Sequence, residues 1–339
     1  MGNSKEDIVR IAVIGAGSWG TAVACLATQR HGAVLWARRP ELADRINDER
    51  HNEQYLPGAE IPYSLTVTSD LEAAVKDAEL VVMGVPSHGY REVLSSAAAV
   101  VPAGAAILSL SKGIEQGTLK RMTEVTSEEL PDHDPGIIGV LSGPNLAREV
   151  IAGQPAATVI AMTDTDRSQT LQQVFMSPSF RVYTNTDVTG CEIAGALKNV
   201  MAIAAGMARG LGFGDNTMAT LVTRALAELT RLGVALGSEP LTFAGLAGMG
   251  DLIATCVSSQ SRNNRVGSEL GKGRSLDEII SEMNMVAEGV KTTRAVLDLA
   301  QRHGIEMPIA HQVGRVLYEG ARPREAVLAL MTREAKSES

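Results

Sequence analysis

A chain of 339 residues has room for two domains with sizeable cores, and its 45% hydrophobic and 21% charged residues suit a globular protein. A net charge of -8 with only 3% aromatics argues against a nucleic-acid binder, which would need a basic face or stacking platforms. The three cysteines, Cys25, Cys191 and Cys256, lack zinc-type spacing, so they read as reduced core residues of a cytoplasmic protein with no metal site.

The first ten residues mix acidic and basic side chains and contain no apolar signal segment. The longest uncharged run, residues 94–111, is broken by Pro102 and Gly104, so no membrane insertion is expected. Residues 8–14 form a β-branched run that reads as a buried strand. It leads into Gly15, Gly17 and Gly20, spaced as GxGxxG, and residues 21–30 read as helix. In this strand–turn–helix setting Gly15 permits the tight turn, Gly17 lets a pyrophosphate approach the backbone, and Gly20 lets helix and strand touch. The N–H groups at the helix start then face the phosphates, so a dinucleotide is the expected ligand.

A second strand at 33–37 ends at Arg38 and Arg39, where an NAD-selective site would carry a carboxylate for the ribose hydroxyls. Two guanidiniums suit the 2′-phosphate of NADP, which favours NADPH over NADH; the other reading is a solvated pair opening the next helix. The alternation continues with a capping box from Ser69 to Glu72, a helix ending near 77, and strands at 80–85, 105–110 and 137–141. Further strands at 157–161 and 180–184 flank a helix at 167–176. Doubly wound sheets bind ligands at the carboxyl ends of their strands, which here present Pro86, Lys112 and Gly143.

After Asp187 the apolar periodicity becomes helical, over 190–209, 216–236, 262–271, 276–284, 290–303, 309–319 and 323–333. Gly237, Gly271, Gly304 and Gly320 stand where helix C-caps belong. The prediction is an α/β Rossmann-type doubly wound sheet over residues 1–187, followed by an all-helical domain over 188–339.

The helix at 190–209 is small and apolar apart from Glu192, Lys198 and Asn199. Glu192 and Asn199 lie almost in register along it, with Lys198 to one side. Lys198 either snorkels to water or is buried for a purpose, and Glu192 has no assigned role. Residues 245–256 place Asp251 and Thr255 four apart, with Asp251 also suited to an N-cap. Ser261 can cap the next helix, which puts Arg262 and Asn263 in its first turn. Hydroxyl, guanidinium, amide and free N–H groups make a phosphate cradle, and a bound anion explains a cation placed against the helix dipole. A dinucleotide, a phosphate-bearing partner and a buried lysine together suggest hydride transfer to a ketone. Lys198 would protonate the developing alkoxide, provided that desolvation or a nearby cation such as Lys112 lowers its pKa.

With these residues in place, the chain resembles the soluble, bacterial-type NAD(P)-dependent glycerol-3-phosphate dehydrogenases from about residue 11 to the last helix. The segments that carry the resemblance are GAGSWG (15–20), LWARRP (35–40), SLSKGIE (109–115) and SGPNLAREV (142–150). Later in the chain they are EIAGALKNVMAIAAG (192–206), GLAGMGDLIATC (245–256), SRNNRVG (261–267) and AEGVKT (287–292). The resemblance implies reduction of dihydroxyacetone phosphate to sn-glycerol 3-phosphate, supplying glycerophospholipid synthesis. It implies Lys198 as proton donor and acceptor, working with Lys112 and Asp251, and Lys112 in contact with substrate and cofactor. Gly143, Asn145, Asp251, Ser261, Arg262 and Asn263 would line the substrate site, with Asn199 and Thr255 beside it. Ser18, Trp19, Arg38, Arg39, Ala147, Val286 and Glu288 would contact the cofactor, and Arg262 both ligands. Asn145 departs from the Thr or Ser frequent in the family, and Trp19 stands where other aromatics occur, a position that simple packing also explains. The alternatives are a ketopantoate-type reductase, whose substrates carry carboxylate and no phosphate, and a non-catalytic NADP-binding sensor. A homodimer is left open.

Overall fold

The computed structural model describes residues 9–283 and 287–334, which divide into two compact units. Among the described residues, the first comprises 9–111 and 122–188, and the second 112–121, 189–283 and 287–334. The short segment 112–121 therefore leaves the first unit and belongs to the second, which no change of texture in the sequence marks.

The first unit is built on eight strands: β1 (Arg10–Ile14), β2 (Gly32–Trp36), β3 (Thr66–Thr68), β4 (Leu80–Met83), β5 (Ala106–Ser109), β6 (Ile138–Ser142), β7 (Ala156–Ala161) and β8 (Phe180–Asn185). They lie in the order β8-β7-β6-β5-β4-β1-β2-β3. All neighbours run parallel except β6 and β7, so this is the expected doubly wound sheet with one reversed pair. Side chains alternate between the faces. Ile11 and Val13 of β1 join one core with helices α1 (Ser18–Ala27) and α2 (Pro40–Glu49). Ala12 and Ile14 join the opposite core with α3 (Leu71–Val75), α4 (Tyr90–Ala97) and α5 (Met122–Glu129). After the short α6 (Ala147–Ile151), α7 (Thr165–Phe175) adds Leu171 and Phe175 to the first of these cores.

Edge strand β3 and helices α5 and α6 were not foreseen, nor was one further element that matters more. A two-stranded hairpin, His51–Asn52 with Leu56–Glu60, follows α2 and holds too few residues, with Pro57 and Gly58, to show a strand period. The expected capping box at Ser69 also differs: Asp70 is the cap, its carboxylate accepting from the Ala73 N–H at 2.9 Å. A carboxylate serves that position as well as a hydroxyl.

The second unit contains α8 (Val188–Gly210), α9 (Asp215–Ala235), α10 (Pro240–Phe243), α11 (Asp251–Val257) and α12 (Arg262–Gly271). It continues with α13 (Leu276–Ser281), α14 (Glu288–Arg302), α15 (Pro308–Tyr318) and α16 (Pro323–Met331). Helix α8 is the axis of its core, buried at every residue from Gly190 to Ala208. By length and composition α8 could cross a membrane, yet all of its apolar window is buried inside the unit. Glu228 of α9 is also buried, and its carboxylate accepts from the Ile309 and Ala310 N–H groups at the start of α15. Burial pushes its pKa up to about 7 against the pull of those two donors.

Gly237, Gly304 and Gly320 have positive φ after their helices, as C-caps do, but Gly271 does not. Gly271 is the last residue of α12, and a Cβ there would stand 2.5 Å from Met207 O of α8. The same holds for Gly206 against Asn264 O at 2.1 Å, Gly210 against Ser268 O at 2.2 Å, and Gly267 against Ile203 O at 2.0 Å. Paired glycines four apart on each helix thus bring the backbones of α8 and α12 into contact. Gly267→Ala is expected to force the helices apart and cost roughly 2–4 kcal/mol. Denaturant unfolding checks this against Gly214→Ala, where the added methyl meets nothing within 4 Å.

Candidate active site

In the first unit the turn between β1 and α1 is made by Gly15, with φ +120°. A Cβ on Gly20 would stand 2.0 Å from Gly15 O, whereas one on Gly17 would meet nothing within 4 Å. Gly20 is thus needed for contact, and Gly17 leaves open space over the backbone. Gly17 caps α1 without a side-chain hydrogen bond, so the start of the helix is not closed by its own cap residue. These residues fit the pyrophosphate of a dinucleotide. Arg38 and Arg39 are both exposed at the carboxyl end of β2, and Arg39 Nη2 donates to Gln54 Oε1 at 2.5 Å.

The unforeseen hairpin braces this turn. Asn52 is buried and donates through Nδ2 to Ala16 O at 3.0 Å and to Thr21 Oγ1 at 2.9 Å. The Ser18 hydroxyl donates to Tyr55 O. Trp19 packs among Leu56, Ala59, Ala147 and Ile151, with its ring 6.3 Å from that of Phe180, so packing accounts for much of its surface. Ala147 opens α6 next to it.

Gly143 follows β6 with φ +152°, and a Cβ there would stand 3.1 Å from Thr158 Cα. Asn145 Nδ2 donates to Thr158 Oγ1 at 2.8 Å, while its buried Oδ1 has no partner. The side chain that departs from the family pattern therefore has one end fixed and an acceptor to spare.

The second unit brings the candidate chemistry together around Asp251. A π-helical turn, Leu246–Gly250, leads into α11, so Asp251 is a helical residue rather than the N-cap that its place after glycine suggested. Such turns are frequent at functional sites. Thr255, one turn on, donates to Asp251 Oδ1 at 3.1 Å. Lys198 Nζ reaches the same Oδ1 at 3.1 Å and donates to Thr255 Oγ1 at 2.7 Å. Lys112 Nζ, from the segment 112–121, donates to Asp251 Oδ2 at 2.6 Å. One carboxylate thus bridges two ammonium groups, and the Lys198 side chain is only 7% exposed. Burial lowers the Lys198 pKa to about 8; Asp251 opposes that shift and the Lys112 charge adds to it.

Asn199, beside Lys198, donates to Lys112 O at 3.0 Å. A Cβ on Gly289 would stand 2.6 Å from Asn199 O and 2.8 Å from Asn263 Oδ1, and Gly289 N donates to that Oδ1 at 3.0 Å. The starts of α12 and α14 therefore meet α8 at Asn199. Ser261 caps α12 as expected, accepting from Asn264 N at 3.2 Å, and exposed Arg262 and buried Asn263 form its first turn. Glu288 opens α14, half-buried; Val286 lies outside the described residues.

The role of Glu192 is now visible. It is buried and accepts from Arg121 Nη1 at 2.7 Å. Neither Arg121 nor Asn52 was picked out in the sequence. The partners of Arg121 and Asn52 lie 71 and 31 to 36 positions away, and no local spacing marks such pairs.

Among known proteins, residues 10–168 match the family described as NAD-dependent glycerol-3-phosphate dehydrogenase N-terminus, and residues 187–328 the corresponding C-terminus. The chain is 54% identical over 305 residues to a glycerol-3-phosphate dehydrogenase (NAD(P)+) of Sphingopyxis alaskensis, covering 90% of this chain and 91% of that one. It is 51% identical over 324 residues to one of Moorella thermoacetica, covering 95% and 96%. A crystal structure of glycerol-3-phosphate dehydrogenase from Coxiella burnetii superposes with a TM-score of 0.92 at 37% identity, covering 96% of this chain and 99% of that one.

Proposed function

The chain belongs to the NAD(P)-dependent glycerol-3-phosphate dehydrogenases, and from that premise we propose that Lys198 is the proton donor and acceptor of its reaction. The observation that carries this is the buried Lys198 Nζ, held by Thr255 and Asp251 with a pKa of about 8. The reaction interconverts dihydroxyacetone phosphate and sn-glycerol 3-phosphate, and its product supplies glycerophospholipid synthesis.

A bound nicotinamide dinucleotide supplies or accepts the hydride. The protein's own part is to manage charge and position. Reduction places negative charge on the carbonyl oxygen, and an ammonium with a pKa near neutrality can both give up its proton and recover it. Asp251 and Thr255 fix the direction of Lys198 Nζ, so its approach to that oxygen is set before substrate binds. Lys112 adds a second cation that stabilises the oxygen as charge develops. Ser261, Arg262 and Asn263 at the start of α12 hold the phosphate, together with Gly143, Asn145 and Asn199. Gly15, Gly17, Ser18, Trp19 and Gly20 hold the dinucleotide, joined by Ala147, Lys112, Arg262, Val286 and Glu288. Residues 1–187 are then the dinucleotide half and 188–339 the substrate half, with segment 112–121 lent to the second. The protein works in the cytoplasm.

The reading is tested by following NADPH absorbance on addition of dihydroxyacetone phosphate, repeated with NADH. Absence of turnover with both cofactors would refute it. Arg38 and Arg39 favour NADPH by pairing with its 2′-phosphate. Replacing both by alanine is expected to raise the KM for NADPH roughly tenfold or more, the worth of a charge-assisted hydrogen bond, and that for NADH little. Equal effects on the two cofactors would remove the argument.

A further inference from the structure

Segment 112–121 departs from the first unit to lie on the second, and its fastening is unusually complete. Ile114 and Leu119 enter the helical core, and Gln116 Nε2 donates to Lys291 O at 3.1 Å. Gly117 and Leu119 both have positive φ, which folds the segment back on itself, and Ile114 pairs with Arg121 across the bend. At one end the carbonyl of Lys112 accepts from Asn199 at 3.0 Å; at the other Arg121 donates to Glu192 at 2.7 Å. Glu192 and Asn199 stand two turns apart on one stripe of α8. One face of the helix thus grips both ends of the segment, and Lys198 projects beside that face to Asp251.

We propose that Glu192 and Arg121 are a positioning pair for the reaction: by anchoring the segment to α8 they place Lys112 against Asp251 and so set the charge around Lys198. The Glu192 side chain is 5% exposed and that of Arg121 20%. An ion pair so buried gains little net stability over apolar residues of the same volume, but its directional donors fix geometry. The proposal rests on the reading of Lys198 as acid and base.

Besides burial, two charges act on Lys198, those of Asp251 and Lys112; the Cys256 thiol, pushed up to about 12 by its own burial, is neutral where Lys198 titrates. Lys112 lowers its pKa in two ways, by direct repulsion and by sharing the Asp251 carboxylate. If the segment loosens, both effects weaken and the Lys198 pKa rises. Oxidation of glycerol 3-phosphate requires neutral Lys198, so its kcat/KM should climb with pH through about 8 in the wild type.

In Glu192→Gln the limb is expected to move upward by roughly one pH unit. The KM for glycerol 3-phosphate should rise several-fold, as Lys112 leaves its place. The exchanged pair, Glu192→Arg with Arg121→Glu, is expected to return the limb toward its original position. An unmoved limb in Glu192→Gln, with altered stability alone, would overturn the proposal. If Glu192→Gln does not fold, Arg121→Lys takes its place, with a smaller shift in the same direction; loss of folding in both would make the pair structural and also overturn it. Failure of the parent reading looks different: there the wild type has no limb near pH 8 at all.

Discussion

Lys198→Ala is expected to lower kcat by roughly a thousandfold, the ordinary worth of a positioned general acid or base. The loss should fall on kcat in both directions, because the same group gives the proton in reduction and takes it in oxidation. The affinity for NADPH, read by fluorescence titration, should stay within about twofold if the lysine acts on the chemical step alone. Lys198→Arg sharpens the test. A guanidinium stays protonated at every accessible pH, so the variant keeps a cation but cannot accept a proton. It is expected to be as poor in oxidation as the alanine variant and to lose the pH limb near 8. Near-wild-type turnover in either variant would end the assignment.

Asp251→Asn should be nearly as damaging, and it moves the pH profile in the direction opposite to Glu192→Gln. The carboxylate raises the Lys198 pKa against the effects of burial and of Lys112. Without it two ammonium groups share a pocket with no counter-charge, and the Lys198 pKa should fall from about 8 by at least one unit. Less of the protonated donor then remains at neutral pH. Thr255 also loses the acceptor that orients its hydroxyl toward Lys198. Reduction of dihydroxyacetone phosphate at pH 7.5 is expected to fall about a hundredfold, with the limb for oxidation displaced toward acid. Measuring kcat/KM against pH in both directions checks the sign. A limb displaced upward would mean that Asp251 does not hold the charge of Lys198.

Much of this was legible in the sequence because it is local. Gly15, Gly17 and Gly20 take their meaning from the strand before them and the helix after them, and those lie within a few residues. Apolar periodicity set α8, α9 and α12 through α16 to within two or three residues, whereas the short α10 and α11, with Leu241, Ile253 and Val257 exposed, gave no such stripe. What escaped notice depends on partners far along the chain. The hairpin at 51–60 has strands too short for a period, yet Asn52 and Tyr55 brace the glycine turn. Gly271 looked like a C-cap because it ends a helical pattern, while its actual constraint is the backbone of α8. Asp251 looked like an N-cap because it follows glycine, and the π-helical turn before it reverses that reading. Lys112 was expected at a strand end, which it follows in sequence, although its side chain serves the other unit.

The glycine contact between α8 and α12 has a consequence for which substrates the enzyme can accept. Helices separated by side chains can adjust their spacing by repacking, whereas helices in backbone contact cannot come closer and gain nothing by parting. Lys198 stands on one of them, and Ser261, Arg262 and Asn263 begin the other. With the proposed proton donor on one helix and the proposed phosphate seat on the other, the backbone contact fixes their separation. On the proposed roles of these residues, such a fixed length would select phosphates by the distance from carbonyl to phosphate ester rather than by bulk.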